Sequence, residues 1–210
     1  PKLLLTGKVQ SAINKLSPKD LSIDDLLINQ ASQDLKLAMS HLSFIAHAYI
    51  WGDNKPNESI PSVLANPWVK VAGNQGRPPI LSYASYCLDN WFLIDPDEAI
   101  SLENVGLINN FLGGVDEDWF VTIHVCIENA AADAMAACAE IAMLETDSPE
   151  KKSIDLLNRI VISMKKVNEI FARMPEKCDP YIYYHRVRPF IFGTKDNPCL
   201  LYTSPSPRDE

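Results

Sequence analysis

Residues 119–144 contain neither proline nor glycine, and this run constrains the fold more than any other feature of the sequence. Seven alanines lie between residues 130 and 139, and alanine favours helix more than any other residue. Gly113 and Gly114 precede the run as a break, and Asp116 supplies the predicted N-cap. We therefore expect one long helix, and its small side chains predict that a second element packs close against it.

Apolar residues elsewhere recur at spacings of three and four, the period of one helical face. Turn-forming residues at 52–56 and 73–79 separate these segments. Ser148 and Pro149 form a helix-start signal, and the helix that follows must end before Pro175. No segment alternates with a period of two between hairpin turns, and no internal repeat is visible. The sequence predicts an all-α architecture with further helices at 35–51, 63–71, 80–91 and after Pro149.

Charge and hydropathy patterns exclude several classes of function. The chain has 19 basic and 27 acidic residues, a net charge of −8, and its basic residues are scattered. Since a phosphate backbone requires a concentrated basic surface, we expect no nucleic-acid partner. The longest apolar stretches, such as residues 42–51, are far shorter than the ~20 residues of a membrane span. Five cysteines without a CxxC pair are typical of reduced thiols, so we expect a cytoplasmic protein without a membrane partner.

Two groups of residues have the chemistry of a ligand site. Phe120, His124 and Glu128 are spaced by four and therefore share one face of the long helix. From the residues alone, His124 is either a site residue or a core histidine bonded to a backbone carbonyl. Arg188 lies among aromatic residues, and a guanidinium binds a carboxylate through two parallel hydrogen bonds. The alternative is that Arg188 is a surface charge near a helix end.

Signatures of other chemistries do not occur in the sequence. It has no CxxCH, no glycine-rich phosphate loop, no HExxH and no nucleophile elbow, so covalent haem attachment, nucleotide-dependent and hydrolytic functions have no support. We interpret His41, His47 and His185 as structural or exposed residues. None of them is assigned to a metal.

Four segments resemble those of the indoleamine 2,3-dioxygenase family and occur in that family's order. Residues 46–52 read AHAYIWG, and residues 78–83 read PPILSY, followed by Asn90 and Trp91. Residues 120–132 are similar to the family's helix over the distal side of the haem. Residues 188–198, which include Arg188-Pro189-Phe190, resemble its RPxxxGxKxNP segment. The resemblance covers residues 35–198 and leaves 1–34 unmatched.

What the resemblance implies first is a fold and a cofactor. The fold is a helical haem-dioxygenase fold, with a small N-terminal helical part at 1–76 and the distal half of an incomplete large haem-binding domain at 77–198. The cofactor is haem b, with dioxygen as co-substrate. The substrate is L-tryptophan or a related indoleamine, and we expect a monomer.

The resemblance also implies roles for individual residues. It places Phe120 against the indole ring and makes His124 the catalytic acceptor of the indole N–H, as in the His-bearing subtype of the family. Arg188 holds the substrate carboxylate, and Tyr183 and Tyr184 line the entry. Tyr83 lines the pocket, and Tyr86 and Cys87, three and four positions further on, are expected beside it; for both, core packing is the alternative. Haem contacts are assigned to Tyr83, Cys87, Phe120 and His124.

The sequence departs from the family pattern in two places. Thr194 stands where many members have tryptophan, and the match stops after Pro198. Residues 199–210 resemble translated adapter sequence, so we interpret them as a non-native tail, with a natural Ser/Pro-rich tail as the alternative. The family's proximal histidine lies on a later helix, beyond the position of Pro198. We therefore expect a fragment that lacks the iron ligand and is inactive as written.

The predicted function of the whole protein is cleavage of the indole C2–C3 bond of L-tryptophan to N-formylkynurenine, the first step of the kynurenine pathway. One alternative is a relative that binds haem and oxygen without turning over tryptophan. Another is a helical interaction protein without a cofactor.

Overall fold

The fold is described by a computed structural model for residues 2–29, 32–53, 56–145 and 149–192. The first helices are α1 (Lys2–Leu5), α2 (Val9–Ile13), α3 (Asp24–Asn29), α4 (Ser32–Trp51) and α5 (Ser62–Asn74). A π-helical turn, the first π-turn (Ala84–Leu88), precedes the strands β1 (Trp91–Leu93) and β2 (Val105–Leu107). The rest comprises α6 (Val115–Ala142), α7 (Glu150–Phe171), a 3-10 turn (Met174–Glu176), α8 (Pro180–Ile182), the second π-turn (Tyr183–Val187) and a 3-10 turn (Arg188–Ile191). The predicted helical architecture is confirmed, including helices at 35–51, 63–71, 119–144 and after Pro149.

The long helix α6 begins four residues earlier than residue 119, and its predicted N-cap is wrong. Gly114, not Asp116, is the N-cap, with extended backbone at ψ 153°. Gly113 before it has φ +70°, a conformation that glycine adopts without steric cost. Asp116 instead lies in the first turn with Glu117 and Asp118, where negative charge interacts favourably with the helix dipole.

The predicted helix at 80–91 is also wrong. Only Ala84–Leu88 is helical there, as the first π-turn, and Trp91–Leu93 forms an antiparallel pair with Val105–Leu107. The fully buried Asn90 side chain donates hydrogen bonds to the carbonyls of Tyr86 and Asn109, so it ties the end of the turn to the chain that leaves β2. The predicted loop at 73–79 is shorter than expected, because α5 continues through Asn74.

Helix α7 is the element that packs close against the alanine-rich part of α6. Ala134 and Ala137 of α6 are buried, and the Ser163 hydroxyl of α7 donates to the Ala130 carbonyl. On the rim, the Arg159 guanidinium bonds to both Asp133 and Glu140. The two helices form an antiparallel hairpin, which confirms the close packing that the alanines predict.

Helix α4 contributes to two core clusters. Met39 and Leu42 pack with Trp68 of α5 and with the N-terminal helices. Phe44, on another face of α4, packs with Phe111 and the first π-turn. The predicted division of the chain between residues 76 and 77 stays a prediction. Within the described ranges, every helix is too short or too polar to cross a membrane.

Candidate functional site

Aromatic side chains from three separate chain segments meet beside α6. The ring of Phe120 lies 4.1 Å from that of His124 and 4.2 Å from that of Tyr183, in the second π-turn, measured between ring centroids. Tyr83, immediately before the first π-turn, lies 5.9 Å from His124, and Tyr86 lies 6.5 Å from Phe120. We call these five residues the aromatic cluster. It joins residues that are up to a hundred positions apart in the sequence.

His124 is held in a defined orientation by its own helix. It follows Phe120 by one turn of α6, and its Nδ1 lies 2.7 Å from the Phe120 carbonyl oxygen. Because a carbonyl only accepts, Nδ1 carries the proton, and in the neutral ring the lone pair is on Nε2. The side chain is half-buried at the edge of the aromatic cluster.

Tyr83 connects the cluster to the outer end of the same helical face. Its hydroxyl donates to Glu128 Oε1 over 2.8 Å, and 44% of the residue is exposed. Partial burial and the neighbouring Glu128 carboxylate raise the pKa of Tyr83, so it stays a neutral donor. Phe120, His124 and Glu128 therefore lie along one face, as their spacing predicts.

A buried carboxyl group supports the inner side of the cluster, and sequence analysis missed it. Glu117 is 1% exposed, and its two oxygens accept from the backbone N–H groups of Phe111 and Leu112. The Tyr86 hydroxyl also approaches Glu117 Oε1, at 3.4 Å. Burial raises the pKa of Glu117 to about 6, against the opposing effect of these hydrogen bonds.

The hydroxyl of Tyr183 is buried next to this group. Among the described residues it has no hydrogen bond of normal geometry, although it is close enough to the Tyr86 hydroxyl to influence the pKa of both. Burial is the main cause that raises the pKa of Tyr183. A buried hydroxyl without a good partner costs free energy, which a bound polar group can recover.

Arg188 and Tyr184 form the exposed end of the site. The Arg188 guanidinium lies 5.2 Å from the centre of the Tyr184 ring, a cation–π distance, and both residues are exposed. In the part of the chain that the structure describes, no carboxylate forms an ion pair with Arg188. Arg188 follows the second π-turn directly, five residues after Tyr183.

Cys87 does not face the same way as Tyr83. It is completely buried in the core, and burial raises the pKa of its thiol to about 12. Cys87 is therefore surrounded by core residues, as the core-packing alternative predicts. The assignment of Cys87 to the cofactor stays a prediction.

The other histidines have structural contacts or are exposed. His47 is 1% exposed; its Nε2 accepts from the Leu81 N–H, so its Nδ1 donates to the Phe190 carbonyl. Burial lowers its pKa to about 4, which keeps this ring neutral. His185 is exposed beside Tyr181 and Tyr184. The interpretation of these two residues agrees with the structure.

The aromatic cluster fits one face of a flat, apolar cofactor. Aromatic rings supply the contact surface, and the buried Tyr183 hydroxyl supplies a polar group in need of a partner. Groups of three or more His, Cys, Asp or Glu side chains suited to a bare metal ion do not occur in the described ranges.

Fold and ring contacts together define a helical protein with a cluster of aromatic side chains around a histidine. The sequence profile of the family described as indoleamine 2,3-dioxygenase matches residues 1–203, and the chain belongs to this family. The match includes residues 1–34, which the motifs left unassigned, and it continues five residues beyond Pro198. The predicted non-native tail, residues 199–210, lies outside the described residues.

Three curated relatives illustrate the similarity. The indoleamine 2,3-dioxygenase of Saccharomyces cerevisiae is 32% identical over 89% of this chain and 42% of its own length. Indoleamine 2,3-dioxygenase 1 of Rattus norvegicus is 32% identical over 95% of this chain and 48% of its own length. The 6-hydroxytryptophan 2,3-dioxygenase of Fusarium equiseti is 27% identical over 82% of this chain. The chain thus spans less than half the length of the curated relatives it matches.

Proposed function

We propose that this chain forms the substrate-binding side of a haem-dependent dioxygenase that cleaves the indole C2–C3 bond of L-tryptophan to give N-formylkynurenine. The observation that carries the proposal is the contact of Phe120 with His124 and Tyr183 in a member of this family. Haem iron, when bound, supplies the activation of dioxygen. Tyr83, Phe120, His124 and Cys87 are the residues that we assign to its distal side.

The chain's own residues bind and orient the substrate. Phe120 and Tyr183, stacked 4.2 Å apart, offer ring faces and edges for an indole. His124, whose Nδ1 bond to Phe120 places the lone pair on Nε2, accepts the indole N–H. Fixing the ring in one orientation accounts for much of what a protein adds to cofactor chemistry.

Arg188 and Tyr184 bind the charged end of the substrate. A guanidinium that no described carboxylate neutralises is suited to the carboxylate of an amino acid, through two parallel hydrogen bonds. Tyr184 holds the guanidinium from one side, and with Tyr183 it lines the entry.

The remaining predictions belong to the same proposal. They are a monomeric cytoplasmic enzyme, a small N-terminal helical part at 1–76, and a haem-binding domain that begins at residue 77. Its iron ligand is not among the residues that we assign.

Substitution of Arg188 in the full-length, haem-loaded protein tests the assignment. Arg188→Lys should raise KM for L-tryptophan by about tenfold, because lysine keeps the charge but loses the second parallel hydrogen bond. Arg186→Lys, at an exposed position two residues away, is the matched control and should leave KM unchanged. Equal effects of the two substitutions would contradict the role of Arg188.

Substitution of His124 separates catalysis from cofactor binding. His124→Phe keeps an aromatic ring beside Phe120 but removes the acceptor, so kcat/KM should fall while the haem absorption band remains. Unchanged N-formylkynurenine formation would refute the role of His124. Haem binding without any product in the unsubstituted protein would instead favour the non-catalytic relative.

A further inference from the structure

A cavity lies apart from the aromatic cluster, between the N-terminal helices and α4. Its volume is about 690 Å³, within the range of roughly 300–1,000 Å³ that small-molecule sites occupy. Its wall is mostly apolar, and the residues that line it include Leu3, Leu16, Leu42 and Ile45. Leu3 and Leu16 are 50% and 37% exposed, so part of this apolar surface is still in contact with water.

One polar side chain in the wall, His41, has a fixed proton position. Asn90 donates through Nδ2 to two carbonyls, so its Oδ1 is the atom that accepts from the N–H and Nδ2 of Asn109. Asn109 therefore turns its own Oδ1 towards His41, whose Nδ1 lies 2.8 Å away. Since Oδ1 only accepts, Nδ1 of His41 is the donor, and the neutral ring has its lone pair on Nε2.

A charged residue in the cavity wall further restricts the class of ligand. Asp20 lines the wall, and hydrogen bonds from Ser17 lower the pKa of its carboxyl group. An ionised Asp20 repels an anionic ligand, and a lone pair on His41 Nε2 does the same at short range. Fatty acids are therefore disfavoured, and a neutral donor group is favoured.

We propose that this cavity binds a small neutral aliphatic molecule that carries one hydroxyl group, with the hydroxyl donating to Nε2 of His41. Transfer of the alkyl chain from water to the aliphatic wall provides most of the affinity. The hydroxyl fixes the orientation, because among the described residues Nε2 of His41 has no partner. This site is independent of the function proposed for the aromatic cluster.

Two isomeric probes test the role of the hydroxyl. Heptan-1-ol and 1-methoxyhexane have the same atoms, but only the alcohol donates a hydrogen bond. Each is titrated into the chain at about pH 8, and the methyl resonances of Leu42 and Ile45 are followed by NMR. The alcohol should bind about tenfold more tightly, which corresponds to one net hydrogen bond of about 1.4 kcal/mol.

Two variants separate the head-group contact from the cavity itself. His41→Leu should bind both isomers with equal affinity, because the acceptor is lost and the aliphatic wall is kept. Ala38→Leu adds three carbon atoms to a wall residue and should abolish saturable binding of both. A circular dichroism spectrum shows that each variant is folded.

Three results would overturn the proposal. Equal binding of the two isomers by the unsubstituted chain would remove the role of His41. Binding that survives Ala38→Leu would place the probe elsewhere. Methyl shifts that follow protein concentration rather than probe concentration would show that a second copy covers this surface.

Discussion

Replacing Glu117 with glutamine tests whether burial or hydrogen bonding has the larger effect on the pKa of this carboxyl group. Three N–H and O–H donors, from Phe111, Leu112 and Tyr86, favour the ionised form. Almost complete burial favours the neutral form and raises the pKa from 4.5 to about 6. Because the folded state then binds the proton more tightly than the unfolded state, Glu117 contributes stability that is complete below pH 4.5. That contribution is lost as the pH rises through about 6.

The expected size follows from the two pKa values. At 1.36 kcal/mol per pKa unit, the difference between 4.5 and about 6 corresponds to about 2 kcal/mol. Glutamine has nearly the same shape and does not ionise in this range. The free energy of unfolding of the unsubstituted chain, relative to Glu117→Gln, should therefore fall by about 2 kcal/mol between about pH 4 and about pH 7.5.

Urea unfolding followed by circular dichroism gives this difference at each pH. Comparing the two chains at the same pH cancels the exposed carboxyl groups that titrate in both. Glu98→Gln makes the same substitution at an exposed position and is the control. A difference that does not change with pH would refute the pKa shift. A change of opposite sign would show that the three hydrogen bonds outweigh burial.

Three further substitutions test the core. The pKa of His47 falls from 6.5 to about 4 on folding. The free energy of unfolding of the unsubstituted chain, relative to His47→Leu, should therefore fall by about 3 kcal/mol as the pH falls through this range, as measured in acid unfolding titrations. Ala137→Leu should cost about 2 kcal/mol by crowding α7, whereas Ala136→Leu, exposed one position earlier, should cost little in urea unfolding. Asn104→Asp should lower the free energy of unfolding by about 3 kcal/mol, because a carboxylate replaces the amide that donates to three carbonyls.

The long helices were predictable because their signals are local. Residues 119–144 combine high helix propensity with the absence of proline and glycine, and both properties belong to the sequence alone. The alanines also predicted a close neighbour, which is α7. The strands β1 and β2 were missed because three residues each are too few to show alternation, and their pairing joins Trp91 to Leu107 across a long turn.

The face of α6 that carries the site was predictable, but the buried Glu117 that supports it was not. A spacing of four placed Phe120, His124 and Glu128 together. Glu117 belongs to the same face, three residues before Phe120, so the spacing contains a signal for it. An acidic residue in a first helical turn is normally exposed, however. Only the loop that folds over it, with Phe111 and Leu112, makes it buried.

The first π-turn contains Cys87, which differs in exposure from Tyr83 although both were predicted to line one pocket. In an α-helix, Tyr83, Tyr86 and Cys87 would lie on one face, since they are separated by three and four positions. Here the Asp89 N–H bonds to the Ala84 carbonyl, five residues back, so the turn is wider than an α-helical one. Tyr83 is 44% exposed beside His124, while Cys87 is completely buried in the core. Tyr183 and Tyr184, in the second π-turn, are neighbours in sequence and therefore point in different directions: Tyr183 packs on Phe120, and Tyr184 is exposed under Arg188. The two chain segments that meet α6 at the site both contain a π-turn. This backbone form has no periodic signature in sequence.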